Sequence, residues 1–395
     1  MLARCHFVEA KSRSSSLLDL LRFFAALSVA VYHWQGNTPV LHPVALSHQS
    51  LMMKMYLDWV GAGYQFVMVF FVLSGLLISS SVLRAVKDGR WSWKIYLVNR
   101  LTRLWVVLLP ALVLAFVLGE LQKLLFGNLN FSGAFGVKTL FLNAGFLQDR
   151  FAPVYGGDDP LWSLSYEFWY YILFPCVVLS FVSRRVSLRV MYVTISLAIF
   201  ALIGVRMSEY FLVWMLGCGV LFMRPLRIRQ TWLWYVAIVV ALLTMFVFYQ
   251  VPYIAFHVRP SLATSSIYPD FILSLSVALL IYVIRSEPVG AERKDQVGTW
   301  AKAFASLAGF SYTLYLVHYP AIYLVTRLLL TPPARPLYAL VFSNILLSDV
   351  VFATFICLYA WVISRFTEAR TAGIRGWVTR SLSSRSLGAV RSLGG

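Results

Sequence analysis

The chain has 395 residues, of which 60% are hydrophobic and only 13% are charged, and its mean hydropathy is +0.75. A soluble domain carries about 25% charged residues, so this composition excludes a soluble globular protein and predicts a polytopic membrane protein. The net charge of +18 would suggest nucleic-acid binding in a soluble chain, but here the basic residues fall between apolar runs and indicate membrane topology. The four cysteines are scattered without a Cys-x-x-Cys pair, which predicts neither a disulfide framework nor a zinc site.

Ten apolar segments are long enough to cross a bilayer. If the amino terminus is cytoplasmic and the segments alternate, 26 of the 34 Lys and Arg residues fall on the cytoplasmic side. The sequence therefore predicts an all-α bundle of about ten transmembrane helices, with both termini cytoplasmic, in the cytoplasmic (inner) membrane. Residues 371–395 form a basic tail rich in Ser, Arg and Gly, which we expect to be disordered and to rest on anionic membrane lipids. The predicted spans are 17–34, 62–83, 101–126, 161–183, 189–207, 208–224, 231–251, 267–285, 311–330 and 338–365.

The first span combines an apolar sequence with ionisable residues. It carries Asp19, Arg22 and His33, and ionisable side chains within a bilayer are costly and by default mark a functional site. Arg22 and His33 are eleven residues apart, which places them on nearly the same helix face, about 16 Å from each other along the axis. With Arg22 at the cytoplasmic interface, His33 would lie near the bilayer midplane. A snorkelling arginine and a packing histidine are the structural alternative.

The next two spans each allow a structural and a functional interpretation. The second span contains the Phe70–Gly75 stretch. In the structural interpretation, Ser74 and Gly75 are small residues that let neighbouring helices approach closely; in the functional one, they belong to an active site. At the start of the third span, Arg100 and Arg103 share a helix face. They are either topological anchors or an anion clamp, because paired guanidinium groups suit phosphate.

The fourth and ninth spans carry polar stripes. Ser163 and Glu167 lie one helical turn apart in the fourth span, and a carboxylate buried in a membrane must be neutral or paired. Glu167 is therefore a candidate acid, base or orienting group. In the ninth span, Tyr315 and His318 share a face. Two intramembrane histidines, a carboxylate and several arginines in one small bundle favour a functional site over packing alone.

Five short motifs, taken together and in order, resemble the acyltransferase 3 family of integral membrane acyltransferases over about residues 17–364. Each motif is weak alone, but five in register are specific. One departure is the Gly61–Phe66 segment, which lacks the acidic residue that many members have before the second helix. The motifs are Arg22-x10-His33, Phe70–Gly75, Arg100-x-x-Arg103, Trp162-Ser163-Leu164-x-x-Glu167 and Tyr312-x-x-Tyr315-Leu316-x-His318.

The resemblance implies an enzyme that moves an acyl group, usually acetyl, from cytoplasmic acetyl-coenzyme A to a hydroxyl of a carbohydrate or glycolipid at the outer face. It implies neither a metal nor a nucleic-acid partner, and it makes residues 1–370 one transmembrane acyltransferase domain. His33 would be the general base, because a neutral imidazole accepts a proton near neutral pH, or an acyl-carrying nucleophile. Glu167 would orient His33 or the acceptor. The resemblance thus implies that His33, Glu167 and His318 are catalytic. It implies that Arg22, Arg100 and Arg103 bind the donor phosphates. The remaining candidates, which would contact substrate or serve the structure, are Asp19, Ser74, Ser163 and Tyr315.

Two other functions compete with this one. A proton-coupled transporter would also place His, Glu and Arg in its spans, although the ten segments show no repeated halves. A membrane-bound O-acyltransferase acting on lipid or protein is the nearest enzymatic alternative, and the order of the five motifs argues against it. The sequence makes no prediction of oligomeric state.

Overall fold

The computed structural model describes Cys5 and residues 12–37, 50–61, 63–127, 135–258, 267–288, 298–342 and 344–391. These residues form helices joined by short turns, and no β-strand occurs among them, which confirms the all-α prediction. The helices are α1 (Arg13–Asn37), α2 (Leu51–Gly61), α3 (Phe66–Lys87), α4 (Trp93–Phe126), α5 (Val137–Ala144), α6 (Trp162–Val182), α7 (Val186–Val220), α8 (Thr231–Val258), α9 (Tyr268–Arg285), α10 (Gly298–Ala308), α11 (Ser311–Leu329), α12 (Arg335–Val341), α13 (Ile345–Phe366) and α14 (Thr371–Arg391).

The number of membrane crossings depends on a reversal inside α7. By length and composition, eight helices of the described chain can each cross a membrane, and α11 with the bent segment after it makes nine. In α7, the rings of Phe200 and Phe211 lie 5.9 Å apart, whereas eleven residues of a straight helix span about 16 Å. The helix therefore folds back, and Gly204 permits this because its φ of 78° and ψ of 177° suit only glycine. The two halves of α7 are thus separate helical segments, while the count of ten crossings stays a prediction.

The segments predicted to be cytoplasmic meet at one end of the bundle, here called the inner end. At the start of α1, Ser14 donates to the carbonyl oxygen of Ile284 at 2.7 Å, near the end of α9. Arg285 donates to the carbonyl oxygen of Val220 at the end of α7. The first and last membrane-crossing helices also meet there, as Arg22 contacts the Glu368 carboxylate beyond α13. Both ends of the membrane bundle therefore lie on the same side.

Helix α1 lies at the centre of the bundle. Its buried face consists largely of small residues, including Ala25, Ala26 and Ala30, each with no exposed surface. Small side chains let neighbouring helices approach closely within a membrane. Helices α3, α10, α11 and α13 all pack against α1. Polar groups on α1 are therefore enclosed by protein rather than exposed to lipid.

Glycines bring α3 and α7 into close contact. A Cβ atom at Gly75 would lie 1.9 Å from the carbonyl oxygen of Trp214, and one at Gly217 would lie 1.9 Å from that of Val72. No side chain fits at either position without moving a backbone. Gly75 is thus a packing residue, which is the structural interpretation of its motif, while its neighbour Ser74 forms polar contacts described below.

A loop at the opposite, outer end enters the bundle between α5 and α6. The side chain of Asn143 holds it by accepting from the backbone N–H of Tyr155 at 3.0 Å and donating to the carbonyl oxygen of Pro153 at 3.0 Å. The amide of Gln148 donates to the carbonyl oxygen of Leu161 at 2.9 Å. These buried hydrogen bonds fix the turn that contains Pro160 against the membrane helices.

Two expected irregular segments contain helices. The loop predicted over 35–61 includes α2, while residues 38–49 lie outside the described chain. The basic tail, expected to be disordered, carries helix α14 over Thr371–Arg391, and Lys94 at the start of α4 donates to the carbonyl oxygen of Leu382 at 3.3 Å. The tail therefore follows the inner end of α4, and the division of the chain at residue 370 stays a prediction.

The reversal in α7 predicts that the turns before and after it lie on the same side of the membrane. In a variant without native cysteines, we expect Arg184→Cys and Arg224→Cys, both at exposed positions, to be shielded from an impermeant maleimide in intact cells. Both should react after the cells are broken. Lys138→Cys at the outer end is the control, and it should react in both preparations. Labelling of only one of the two inner positions from outside would contradict the reversal.

Candidate active site

The two histidines predicted to be functional meet inside the bundle. His33 lies on α1 and His318 on α11, 285 residues apart in the sequence, and their ring centroids are 5.4 Å apart. His318 has no exposed surface, and His33 is half-buried. The first and ninth predicted spans thus place their histidine rings next to each other. A half-buried imidazole next to a fully buried one can meet a substrate while its partner is held by protein.

His318 is held in one tautomer. Its Nδ1 lies 3.0 Å from the carbonyl oxygen of Leu314, and since a carbonyl can only accept, Nδ1 carries the proton and Nε2 presents a lone pair. This Nε2 is buried and has no hydrogen-bond partner in the described part of the chain. Leaving a buried acceptor unpaired costs free energy. The arrangement therefore suits a group that receives a proton donor during function.

Aromatic side chains enclose the histidine pair. The Tyr319 ring lies edge-on to His33 with a centroid distance of 4.8 Å, and the Tyr32 ring lies 5.1 Å away. The side chain of Asn37 donates to the carbonyl oxygen of His33 at 2.9 Å. These contacts limit the orientations of the imidazole, as a catalytic base requires.

Tyr315 connects the histidine pair to the outer loop. Its ring lies 6.1 Å from His318, and its hydroxyl forms a hydrogen bond with the Ser163 hydroxyl at 2.7 Å. The same hydroxyl donates to the carbonyl oxygen of Pro160 at 3.2 Å. The predicted residues Ser163 and Tyr315 thus lie together, at the point where α6, α11 and the loop converge.

Arg22 fastens the inner end of α1 to α11. Its Nε donates to the Ser311 hydroxyl at 2.9 Å, and one terminal nitrogen donates to the carbonyl oxygen of Ala308. The other contact is an ion pair with Glu368 at 3.8 Å. Glu368 follows the last span without any local motif, so its sequence context does not indicate this role. Because its donors are so engaged, Arg22 holds two helices together as well as contributing positive charge.

Arg100 and Arg103 extend this positive region along α4. The guanidinium carbon of Arg100 lies 5.6 Å from the Tyr96 ring centroid and 6.0 Å from that of Tyr171. Its buried Nε has no hydrogen-bond partner within the described residues. Arg103 lies within electrostatic range of Glu167 and of Glu368. A guanidinium held by aromatic faces keeps its N–H groups available for an anion.

Glu167 belongs to the arginine region rather than to the histidine pair. Its Oε1 accepts a hydrogen bond from the Ser74 hydroxyl at 3.1 Å and another from the Tyr171 hydroxyl. Trp214 donates in turn to the Ser74 oxygen at 3.2 Å. None of the Glu167 hydrogen bonds in the described chain reaches His33. No direct contact therefore supports the predicted role of Glu167 in orienting His33. Asp19 likewise lies within electrostatic range of Arg22 and Arg103.

Two further carboxylates, Asp158 and Asp159, approach the histidine pair from the outer loop. Asp158 is only 1% exposed, and its Oδ1 has no hydrogen-bond partner among the residues the structure describes. Asp159 lies within electrostatic range of Tyr32 and Tyr319, the two rings beside His33. Burial and the negative charge of Asp159 raise the pKa of Asp158 well above its usual range. The only sequence signal was a turn-forming cluster of Gly, Asp and Pro.

The site thus has three levels along the bundle. Cations and their carboxylate partners lie at the inner end, the histidine pair lies between, and a loop bearing two aspartates closes the outer side. Phosphate groups fit the first level, because it holds three guanidinium groups. Proton transfer fits the second, since it holds an unpaired ring nitrogen beside a half-buried imidazole.

Comparison with known proteins agrees with this chemistry. A family model described as an acyltransferase domain, that of the acyltransferase 3 family, matches residues 16–367. YrhL of Bacillus subtilis (strain 168), which carries the provisional name of a peptidoglycan O-acetyltransferase, is 31% identical over 175 residues. That match covers 40% of this chain but 23% of YrhL, so the chain spans only a minor part of this relative. No solved structure matches.

The raised pKa of Asp158 predicts a particular dependence of stability on pH. The folded protein keeps this carboxyl protonated at pH values where the unfolded chain ionises it. Its contribution to stability is therefore complete below about pH 4 and is lost as the pH rises towards the folded-state pKa. Asp158→Asn is neutral throughout, so its thermal midpoint in detergent should fall less than that of the wild type between about pH 4 and pH 8.

The control is Asp58→Asn, at an exposed position on α2, which should follow the wild-type curve. If Asp158→Asn loses stability with rising pH as steeply as the wild type does, Asp158 is ionised in the folded protein and the prediction is wrong.

Proposed function

We propose a specific reaction for this chain from the premise that it belongs to the acyltransferase 3 family, whose model matches residues 16–367. The protein is a multi-pass membrane acyltransferase. The proposed reaction moves an acetyl group from cytoplasmic acetyl-coenzyme A to a hydroxyl of a carbohydrate at the outer face of the cytoplasmic membrane. Family membership supports an enzyme over the transporter alternative, and no contact in the described chain favours the latter.

One observation carries the proposal. The half-buried His33 lies 5.4 Å, between ring centroids, from His318, whose buried Nε2 has no partner among the described residues. No hydrogen bond joins the two rings in the described chain, but a rotation of the half-buried His33 ring would bring one of its nitrogens towards that Nε2. An N–H of His33 donating to His318 would leave the other His33 nitrogen as a lone pair. His318 then orients His33 as a buried carboxylate orients the histidine of a hydrolase triad.

The inner end supports a coenzyme A donor. Arg100 keeps a buried nitrogen without a partner among the described residues, and Arg103 lies on the same helix face three residues away. Guanidinium forks bind phosphate oxygens in pairs. His33 lies about 16 Å beyond Arg22 along α1, so a donor anchored by its phosphates at the inner end would present its acyl group at the histidine pair only if extended.

The outer loop supports an acceptor that enters from the other side. Pro160 and Ser163 contact Tyr315, one turn from His318. The acceptor hydroxyl and the donor thioester would therefore meet from opposite ends of the bundle, without moving the sugar across the membrane. The similarity to YrhL, which carries the provisional name of a peptidoglycan O-acetyltransferase, supports a cell-surface glycan as the acceptor class.

His33 would act as the general base. It takes the proton of the acceptor hydroxyl while the hydroxyl oxygen forms a bond to the acyl carbon. The carbon–sulfur bond then breaks, and the proton passes from His33 to the leaving sulfur. An acyl-histidine relay is the second route, in which His33 first carries the acyl group. Because the two routes differ in whether His33 is acylated without acceptor, they can be distinguished by experiment.

We expect His33→Ala and His33→Gln to lose at least about 100-fold in transfer rate, since general bases contribute about 10² to 10⁴. The measurement is transfer of labelled acetyl from acetyl-coenzyme A to extracted surface glycan by protein in proteoliposomes. Lys138→Ala, at an exposed position of the outer end, is the control and should keep wild-type activity. Near wild-type transfer by His33→Ala would refute both routes, whereas an acetyl adduct on wild-type His33 without acceptor would identify the relay.

We expect Arg100→Ala to raise the half-saturating concentration of acetyl-coenzyme A by about tenfold or more, as the loss of a charge-assisted contact implies. Arg100→Lys should rescue poorly, because an ammonium lacks the guanidinium fork. The control is Arg189→Ala, an exposed arginine in the first turn of α7, which should leave donor affinity unchanged. Equal donor affinities in Arg100→Ala and the wild type would place the phosphates elsewhere.

A further inference from the structure

A polar cavity of about 560 Å³ opens at the outer end of the bundle. This volume is within the usual range of ligand sites, about 300–1,000 Å³. The cavity lies where the outer loop, the start of α3, the start of α6 and the reversal of α7 come together. It is lined by Tyr64, Asp149, Arg150, Asp159, Trp162 and Arg206 together with small backbone-exposing residues of the outer loop.

Two aromatic rings form one wall of this cavity. Tyr64 and Trp162 are stacked, with centroids 5.8 Å apart and ring planes 19° from parallel. The Tyr64 hydroxyl is fixed by a hydrogen bond with the Tyr210 hydroxyl at 3.0 Å, and Tyr210 donates to Asp270 at 2.5 Å. Rigid aromatic faces with polar edges suit a ligand that is partly apolar and partly hydrogen-bonding. The C–H face of a pyranose ring has this character.

The charges of the side chains that line the cavity sum to zero. Arg150 and Arg206 contribute two positive charges, and Asp149 and Asp159 contribute two negative charges. The position of Asp149 is fixed in two ways. Its φ of 69° is in the left-handed region, and its carboxylate accepts a hydrogen bond from the Tyr166 hydroxyl at 2.7 Å. Carboxylates and guanidinium groups together offer both acceptors and donors to hydroxyl groups. The lining therefore matches an uncharged polyol better than an anion.

The cavity adjoins the histidine pair. Trp162 precedes Ser163, which bonds Tyr315 next to His318. On the other side, Asp159 lies within electrostatic range of Tyr32 and Tyr319, which flank His33. Gly63, beside Tyr64, packs so closely on Tyr32 that a Cβ atom there would lie 1.9 Å from the Tyr32 Cβ. A chain-like ligand in the cavity could thus reach the histidines with one of its groups.

We propose that this cavity binds the acceptor, and that the acceptor segment it holds is an uncharged sugar ring of a glycan chain. The inference rests on the proposed acyl transfer and adds to it the place and the charge class of the acceptor. Contact with the aromatic wall of Tyr64 and Trp162 orients the ring, while Asp149 and Arg206 select its hydroxyl pattern. Because the lining has no net charge, binding should depend only weakly on salt.

The test uses Asp149→Asn, which keeps an acceptor for the Tyr166 hydroxyl, and Arg206→Gln. In proteoliposomes supplied with alkali-deacetylated surface glycan extracted from the source cells, both variants should raise the half-saturating glycan amount at least fivefold. Their half-saturating acetyl-coenzyme A concentration should stay within twofold of wild type. The matched control is Lys138→Gln, an exposed outer-end residue away from the cavity, which should change neither value. Raising the salt from about 50 to 200 mM should change the wild-type glycan dependence less than twofold.

A second measurement separates this inference from the proposed function. The same glycan extract is passed over immobilised protein, and retention is measured without acetyl-coenzyme A. Retention by the wild type and Lys138→Gln but not by Asp149→Asn supports the cavity, even if no acetyl transfer occurs and the proposed reaction fails. Wild-type retention and glycan dependence in both cavity variants, or a steep loss of glycan binding with salt, would overturn it.

Discussion

The contact between Arg22 and the start of α11 sets the register on which the site depends. A charged guanidinium within a membrane bundle must be satisfied by protein groups, because lipid offers none. The Ser311 hydroxyl, the Ala308 carbonyl and Glu368 supply them. From that level, His33 lies about 16 Å along α1 and His318 about 10 Å along α11. These two distances differ by about 6 Å, which is about the length of an arginine side chain. The contact that satisfies Arg22 therefore brings His33 and His318 to the same level of the bundle.

The outer loop brings backbone carbonyls and carboxylates into the bundle, which membrane helices alone do not provide. Helices present side chains, but a loop that enters the bundle also brings backbone carbonyls and closely spaced carboxylates. Such a loop is tolerated where its backbone is enclosed by protein and its backbone polar groups find partners. Asn143 and Gln148 provide that pairing. The loop can therefore carry Pro160 to Tyr315 and Asp158 into the protein interior. The reaction centre is thus enclosed on its outer side by a structure that also borders the proposed acceptor cavity.

Much of the fold could be predicted from the sequence, because bilayer thickness and the distribution of basic residues both act locally. Hydropathy and charge placed the crossing segments, and the polar stripes on two of them identified His33 and His318, which do meet. The sequence could not indicate which carboxylate pairs with which arginine, because these contacts join residues far apart in the chain. Glu167 therefore lies with Ser74 and Tyr171 rather than beside His33, while Glu368 and Asp158 had no motif that distinguished them. Gly75 shows the converse, as a glycine in a family motif that serves packing.

The central claim is that one extended donor reaches from the inner arginines to the histidine pair. The most direct measurement is a structure of the full chain with a non-hydrolysable thioether analogue of acetyl-coenzyme A. We expect the diphosphate to lie against Arg100 and Arg103, and the carbon that replaces the acyl carbonyl to lie within contact distance of His33. The His33 and His318 rings should then be hydrogen-bonded to each other. A diphosphate bound at Arg84 and Arg90 on the other side of the inner end, or an acyl end that stops short of both histidines, would contradict it.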